Sequence, residues 1–313
     1  MNPPFHLVFC GTPRFAVPSL EALVRAGFDV DLVVTQPDRP RGRGMEMAFS
    51  PVKQSAIALD LPVLQPDRIR HNQEFRAQLE TLHPEAIVVV GYGRIIPQWM
   101  IDLPPLGNIN LHASLLPKYR GAAPIQWAIA CGETITGVTI MRIDAGLDTG
   151  DILQQSEIAI GPEDTSESLA PRLAEMGALR MVETLADYKT GTVHPRPQEN
   201  HRACLAPILR KEDGQVDFRR TATEIYNRLR GFQPWPGAFT KIRGKQLVIC
   251  SARVANDGCS LPPGSLKVEG TRLLAACRDS YLELIEVQPE GKKRMPARDF
   301  INGYRPKAGE LLG

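Results

Sequence analysis

The 313-residue sequence has no apolar run near the roughly 18 residues that a membrane-spanning helix needs. Its opening, MNPPFHLVFCG, lacks a basic stretch followed by an apolar core and a cleavage site, so a cytoplasmic location is expected. Cysteine is scarce: six residues, at 10, 131, 204, 250, 259 and 277, none in a CxxC pair and none at zinc-finger spacing from a histidine. No disulfide framework and no metal site is implied, and the six are expected to be reduced, mostly buried small hydrophobes. Internal repeats and low-complexity tracts are absent. A surplus of one charge is also missing, since 37 Lys+Arg against 35 Asp+Glu leaves +2. The balance is uneven, however. Residues 207–313 hold 19 basic and 12 acidic side chains, whereas the first 206 hold 18 and 23. Such asymmetry suggests two domains, the second preferring polyanions.

The first part of the chain alternates strand-like and helix-like segments. HLVFCG (6–11), VDLVVT (30–35), PEAIVVVGYG (84–93) and GNINLH (107–112) read as buried strands. PSLEALVRAG (18–27) has leucines at helical spacing and a terminal glycine, and SPVKQSAIALD (50–60) has Ser50 at the N-cap and Pro51 at the first helical position. GVTIMRI and DILQQSEIAI read as strands flanking a Gly-rich turn, followed by a long amphipathic helix capped near Thr165 or Ser166. This rhythm predicts an α/β fold, an open and mostly parallel Rossmann-like sheet, over residues 1–191. Residues 192–206 are polar, proline-bearing and without periodicity, which predicts a linker. Residues 207–313 hold short strands between Gly, Pro and Asp turns, which predicts a small antiparallel β-barrel of the OB-like kind. Trp235 is expected in its core.

Three pieces carry candidate chemistry. CGTPRFAVPSL (10–20) turns from strand to helix with a glycine but has no GxGxxG, so a dinucleotide fingerprint is not supported. NLHASLLP (110–117) ends a strand; Asn110 and His112, two residues apart, share a face and can converge on one ligand atom. Asn is a neutral donor and acceptor, and His carries a proton near neutral pH. DAGLDTGDI (144–152) sets three acids among small residues; it lacks the calcium-loop pattern, and a carboxylate there can pair with His112.

Taken in order, NLHASLLP, YRGAAPIQWAI and GVTIMRIDAGLDTGDIL resemble the formyltransferases that use 10-formyltetrahydrofolate, whose shared pattern is Asn-x-His-x-Ser-Leu-Leu-Pro with an aspartate about thirty-six residues beyond the histidine. Asp148 stands at that spacing from His112. Ala113 stands where relatives often carry Gly or Pro. CGTPRFAVPSLEAL, TQPDRPRGRG, SPVKQ, LRKEDG and GFQPWPGAFT extend the likeness nearly end to end, in the form typical of the branch that acts on methionyl-tRNA. The resemblance implies Asn110, His112 and Asp148 as catalytic residues, and Ser114, Leu115, Leu116 and Pro117 as a folate wall with a cis Leu116–Pro117 peptide. It also implies that the segment 35–49 meets the tRNA acceptor end through Arg43.

The implied reaction is formyl transfer from 10-formyltetrahydrofolate, as cosubstrate, to the α-amine of methionyl initiator tRNA, without a metal or a covalent enzyme intermediate. Arg39 and Arg41 precede Arg43 in a Pro/Gly-rich loop expected to form neither helix nor core; arginine there suits phosphates and unpaired bases. Lys211, with Arg210, Arg219, Arg220, Lys241, Arg243 and Lys245, is expected to offer a backbone-tracking surface. A monomer is expected. Two alternatives stay open at this point: a folate-dependent formyltransferase acting on a sugar-amine or amino-nucleotide, and an RNA-binding module with an inactive α/β half.

Overall fold

In the computed structural model residues 5–41 and 46–313 are described, with the side chains of Arg41, Glu46, Asn256 and Asp257 left aside. The described chain divides into two compact units. The first comprises Met1–Pro124, Ile135–Ala159 and Ala170–Ala206; the second comprises Ile125–Thr134, Ile160–Leu169 and Pro207–Gly313.

The first unit is built on β1 (His6–Gly11), β2 (Asp29–Val34), β3 (Arg39–Arg41), β4 (Glu46–Ala48), β5 (Val63–Leu64), β6 (Ala86–Val90), β7 (Asn108–His112), β8 (Ile135–Arg142) and β9 (Ile152–Ala159). Seven of these form one sheet in the order β5-β2-β1-β6-β7-β8-β9. The first five run parallel, and β8 and β9 add an antiparallel edge. β6 is buried at every position, as a parallel strand covered on both faces must be. Fully burying one such Val or Ile side chain is worth about 1.5–3 kcal/mol.

The helices in chain order are α1 (Val17–Arg25), α2 (Pro51–Ala58), α3 (Gln73–Leu82), α4 (Gln98–Ile101), α5 (Pro124–Ala130) and α6 (Ser166–Thr190). Ser50 caps α2 by accepting the Lys53 N–H at 3.1 Å, and Thr165 Oγ1 accepts the Ser168 N–H at the start of α6. α6 lies close on β7: a Cβ added at Gly177 would stand 2.6 Å from Leu111.

From β1 the chain moves outward to β2 and β5, then returns to the other side of β1 for β6 and β7. The carboxyl ends of β1 and β6 therefore flank a topological switch point, where ligands bind in open α/β sheets. Thr12 Oγ1 and Gln36 Nε2 both donate to the Tyr92 carbonyl there, at 3.3 and 2.8 Å, tying the ends of β1, β2 and β6 together.

The stretch after β2, expected as a Pro/Gly-rich loop that forms neither helix nor core, is in part a two-stranded ribbon in which Arg39, Pro40 and Arg41 pair with Ala48, Met47 and Glu46. Of its side chains, Arg39 and Pro40 are exposed to water. Its two ends are clamped. Lys53 Nζ reaches Asp38 Oδ2 at 2.5 Å and Gln65 Oε1 at 2.7 Å, and stands over the Phe49 ring.

The second unit carries α7 (Ala222–Gly231), β10 (Ala238–Ile242), β11 (Lys245–Gly258), β12 (Leu266–Glu269), β13 (Arg272–Ala276), β14 (Ser280–Pro289), β15 (Met295–Pro296) and α8 (Ala297–Tyr304). Its antiparallel sheet runs β10-β11-β14-β13-β12, with β15 on β14. The C-terminal residues link the two ends of that path: Leu312 bridges Ile242 and Leu311 bridges Ser265. Ile225, Leu247, Leu273, Leu282, Leu284 and Phe300 lie in the core they enclose.

Trp235 is not in that core. It is 55% exposed, and the buried aromatic of its stretch is Phe232, edge-to-face with Trp127 at 5.3 Å. Helix α7 turns Phe232 inward at its own end, and the Pro-Trp-Pro run that follows leads away along the surface. All six cysteines are free; only Cys10 and Cys277 are buried, while Cys131 and Cys204 are exposed, so the expectation of mostly buried thiols is corrected. Among the described residues no helix is long and apolar enough to cross a membrane.

Candidate active site

β7 delivers Asn110 and His112 to the carboxyl end of the sheet. Asn110 is half-buried, and its amide makes no hydrogen bond among the described residues, so its donors and acceptor are free for a ligand. His112 is 6% exposed. Its Nε2 lies 2.9 Å from the Tyr119 carbonyl, which can only accept, so Nε2 carries the proton. Nδ1 is left facing Asp148 Oδ2 at 3.7 Å. That gap is longer than a direct hydrogen bond, and a proton on Nδ1 can be directed to a reacting atom while still feeling the carboxylate.

Asp148 sits in the turn between β8 and β9 at φ 51, in the left-handed region where Asp and Asn are the tolerated side chains. Local chemistry builds the turn. Asp144 Oδ1 accepts the Gly146 N–H at 3.0 Å and the Thr149 hydroxyl at 2.7 Å. Gly150 must be glycine, since an added Cβ would lie 1.9 Å from the Arg142 carbonyl oxygen. The Asp148 carboxylate is fixed by the Gly121 N–H, which donates to Oδ2 at 2.8 Å.

The structure therefore brings Asn110, His112 and Asp148 to one end of one sheet. The turn after His112 carries the four residues expected as a folate wall. Ser114 is fully buried, and its hydroxyl donates to the Lys118 carbonyl at 2.6 Å. Leu116 is also buried, at 3% exposure, whereas Leu115 and Pro117 are half-buried. The Leu116–Pro117 peptide is cis. His112, Thr139 and Gln155 stand in one row across β7, β8 and β9. Thr139 Oγ1 donates to the Ser114 carbonyl at 2.6 Å and accepts the Leu116 N–H, and Gln155 Nε2 reaches the Leu116 carbonyl at 2.9 Å. This row holds the turn in place.

Of the basic residues, Arg39 is exposed on β3 and Arg41 belongs to the same strand; Arg43 lies outside the described residues. Lys211 is exposed in the second unit, and neither it nor Lys241 nor Lys245 has a carboxylate within ion-pair distance among the described residues. Three members of the expected basic surface are already engaged: Arg219 pairs with Asp217 at 2.8 Å, Arg243 with Glu310 at 2.6 Å and Arg220 with Glu224 at 4.0 Å. The Asp217 and Glu310 carboxyls are held below the usual range, chiefly through the arginine hydrogen bond. Among the described residues no group of three or more His, Cys, Asp or Glu side chains could hold a metal ion.

Residues 6–185 match the formyl transferase family and residues 208–305 the formyl transferase C-terminal domain. The chain is 69% identical over 308 residues to the methionyl-tRNA formyltransferase of Koribacter versatilis, covering 98% of both. The chain belongs to the methionyl-tRNA formyltransferase family. The enzyme of that name from Acidobacterium capsulatum is 63% identical over 95% of this chain and 96% of its own. A solved structure, the N-formyltransferase from Helicobacter canadensis in complex with folinic acid and dTDP-3-aminofucose, superposes with a TM-score of 0.66. It covers 90% of this chain and 98% of its own at 20% identity, a likeness of fold.

Sequence reasoning passed over the residues that hold this site from behind. Arg120 lies in YRGAAPIQWAI, where only the family likeness was legible, and Gln198 and Asn200 lie in the stretch expected as a linker. A charged residue inside an otherwise small and apolar run was the available signal for Arg120. For Gln198 there was none, because its partners lie 48–78 residues away.

Proposed function

We propose that this protein transfers the formyl group of 10-formyltetrahydrofolate to the α-amine of methionyl initiator tRNA. The observation that carries the reading is identity of 69% across 98% of the chain to an enzyme named for that acceptor. It favours tRNA over the sugar-amine or amino-nucleotide alternative, and the free Asn110 amide beside the His112–Asp148 pair argues against an inactive module.

The amine attacks the formyl carbon, and negative charge develops on the formyl oxygen. The unpaired Asn110 amide suits stabilisation of that oxygen; one such donor is worth roughly 3–4 kcal/mol. The His112 Nδ1, with its Nε2–H committed to Tyr119, is the nitrogen suited to move a proton. Asp148 orients the ring and stabilises its charged form during transfer. The amine's lone pair becomes the new carbon–nitrogen bond and the amine gives up a proton, while the carbon–nitrogen bond to folate breaks with its electron pair and a proton passing to the folate nitrogen. General acid–base help of this kind contributes about 10²–10⁴-fold.

In this reading the α/β part, residues 1–191, carries the chemistry, with Leu115 and Pro117 as the solvent-facing part of the folate wall. The hairpin bearing Arg39 and Arg41, together with Arg43, meets the acceptor end. Residues 207–313, with Lys211, track the tRNA backbone, and 192–206 join the two parts. The test is a formyl-transfer assay on methionyl initiator tRNA, methionyl elongator tRNA and glycinamide ribonucleotide, using 10-formyltetrahydrofolate. Efficient transfer to the initiator tRNA alone is expected; preferential use of the ribonucleotide overturns the reading.

A further inference from the structure

We infer that Arg120 and Gln198 form a positioning pair that sets the geometry of the His112–Asp148 dyad by holding the backbone of the Asp148 turn. This rests on the catalytic role proposed for Asp148.

Arg120 is 7% exposed, yet no carboxylate lies within ion-pair distance of it among the described residues. Its Nε and Nη2 donate to Gln198 Oε1 at 3.1 and 2.6 Å, and Nη2 donates also to Asn200 Oδ1 at 2.8 Å. A buried cation resting on neutral amides is costly, and an apolar side chain would fill the space at lower cost. What a guanidinium adds is orientation. It can only donate, so the Gln198 oxygen must face it and the Gln198 NH2 must point away. Both protons of that NH2 are used on the turn: Nε2 donates to the Asp148 carbonyl at 2.9 Å and to the Gly150 carbonyl at 2.7 Å. Each hydrogen bond from the charged group strengthens the polarisation of the amide that makes the next two.

The backbone on either side of Arg120 carries the other handles. Tyr119 accepts His112 Nε2 through its carbonyl, and Gly121 donates its N–H to the Asp148 carboxylate. Three successive residues thus hold the imidazole, the carboxylate and, through Gln198, the main chain beneath that carboxylate. The tripeptide is stitched in turn to residues 204–206: the Arg120 N–H donates to the Cys204 carbonyl at 2.9 Å, and the Ala206 N–H to the Arg120 carbonyl at 2.7 Å. The 3.7 Å spacing of the dyad is therefore set from one rigid segment, and a left-handed aspartate is kept from relaxing away from the ring.

The competing account is that Arg120 and Gln198 only staple 198–200 to the domain. Gln198→Glu separates the two. The glutamate still accepts both guanidinium bonds, and makes them an ion pair, but it cannot donate to Asp148 or Gly150. The full-length Q198E, D148N and Q198E/D148N proteins are compared with wild type in formyl transfer to methionyl-tRNA, with thermal melting alongside. A positioning role predicts a Tm lowered by only a few degrees for the two lost neutral hydrogen bonds, KM values within about twofold for both substrates, and kcat lowered about 10–100-fold in Q198E, as misplacement of about 1 Å costs. In the D148N background the same change should lower kcat by less than about twofold, because its route of action is already gone. Full kcat in Q198E, or an undiminished loss in the D148N background, overturns the inference. Wild-type kcat in D148N alone is a different failure, since it removes the catalytic role of Asp148 on which the pair acts.

Discussion

Replacing Asp148 by asparagine removes one negative charge and little else. Asparagine adopts φ near 51 as readily as aspartate. Its side-chain oxygen can still accept the Gly121 N–H, and the Gln198 contacts to the turn involve only main-chain carbonyls. What disappears is the attraction between the carboxylate and charge building on the His112 ring as it handles a proton. At 3.7 Å and an effective dielectric of about 20, that attraction is about 4 kcal/mol. The Asp148 side chain is 19% exposed, so water screens part of it, and about 3 kcal/mol is the usable share. At tenfold per 1.36 kcal/mol, kcat should fall about 10²-fold. The assay is single-turnover formyl transfer at saturating 10-formyltetrahydrofolate and methionyl-tRNA, with equilibrium binding of each substrate and thermal melting. Both dissociation constants should stay within about twofold, and Tm within about 2 °C. A kcat within about threefold of wild type would refute the electrostatic role. A loss of folate binding equal to the loss of kcat would show instead that the site had collapsed.

Gly150→Ala places a methyl group 1.9 Å from the Arg142 carbonyl oxygen; a loss of about 1–3 kcal/mol by denaturant titration is expected, together with lowered turnover, and an unaltered enzyme would disprove the close approach. Hydrogen bonds from Lys53 and then Gln65 hold the Asp38 carboxyl below its ordinary 3.8. A depressed folded value means that the stabilisation is present above the ordinary value and is lost as pH falls through the lower one. Proteolysis within the 39–48 hairpin should therefore quicken only below about pH 4, and quickening near about pH 6 would contradict the clamp. Burial pushes the Cys277 thiol up to about 12, so iodoacetamide on the folded protein should label exposed Cys131 and Cys204 and spare Cys10 and Cys277. Labelling of Cys277 at the rate of Cys204 would refute its burial. Trp235→Ala, at a position 55% exposed, should leave Tm nearly unchanged; a fall matching loss of a core aromatic, about 3–5 kcal/mol, would return the residue to the core.

The parts of the fold that were legible were those whose cause is local. Buried parallel strands declare themselves as apolar runs, and Ser50-Pro51 announces a helix start because the cap and the fixed proline φ act within four residues. The NLHASLLP stretch could be placed at a strand end for the same reason. Trp235 was misread because aromatic character predicts burial only on average, and three residues of backbone direction decide between Phe232 and Trp235. The strand pairing at 39–48 was not legible because it is three residues long, too short for an alternating pattern to stand out from charge and proline.

The stretch from 192 to 206 shows a different kind of blindness. It reads as a connection because it has no periodicity, and periodicity is what a segment shows when it buries a face of its own. A segment that contributes isolated side chains to another element's site has no reason to be periodic. Arg196 bridges Ile152, Gln198 holds the Asp148 and Gly150 carbonyls, and residues 204–206 pair along Arg120. The turn that carries the Asp148 carboxylate is thereby held from a segment fifty residues downstream. This arrangement follows from the chemistry. A carboxylate must keep a fixed distance from a ring on another strand, and its own turn, closed by Asp144 and Thr149, controls only the local curvature. Fixing the turn against β7 needs donors from a third part of the chain, and an amide locked by a buried guanidinium supplies two at once. Irregular sequence beside a catalytic loop is therefore where positioning residues should be sought, with a buried charge lacking its counter-ion as the first signal.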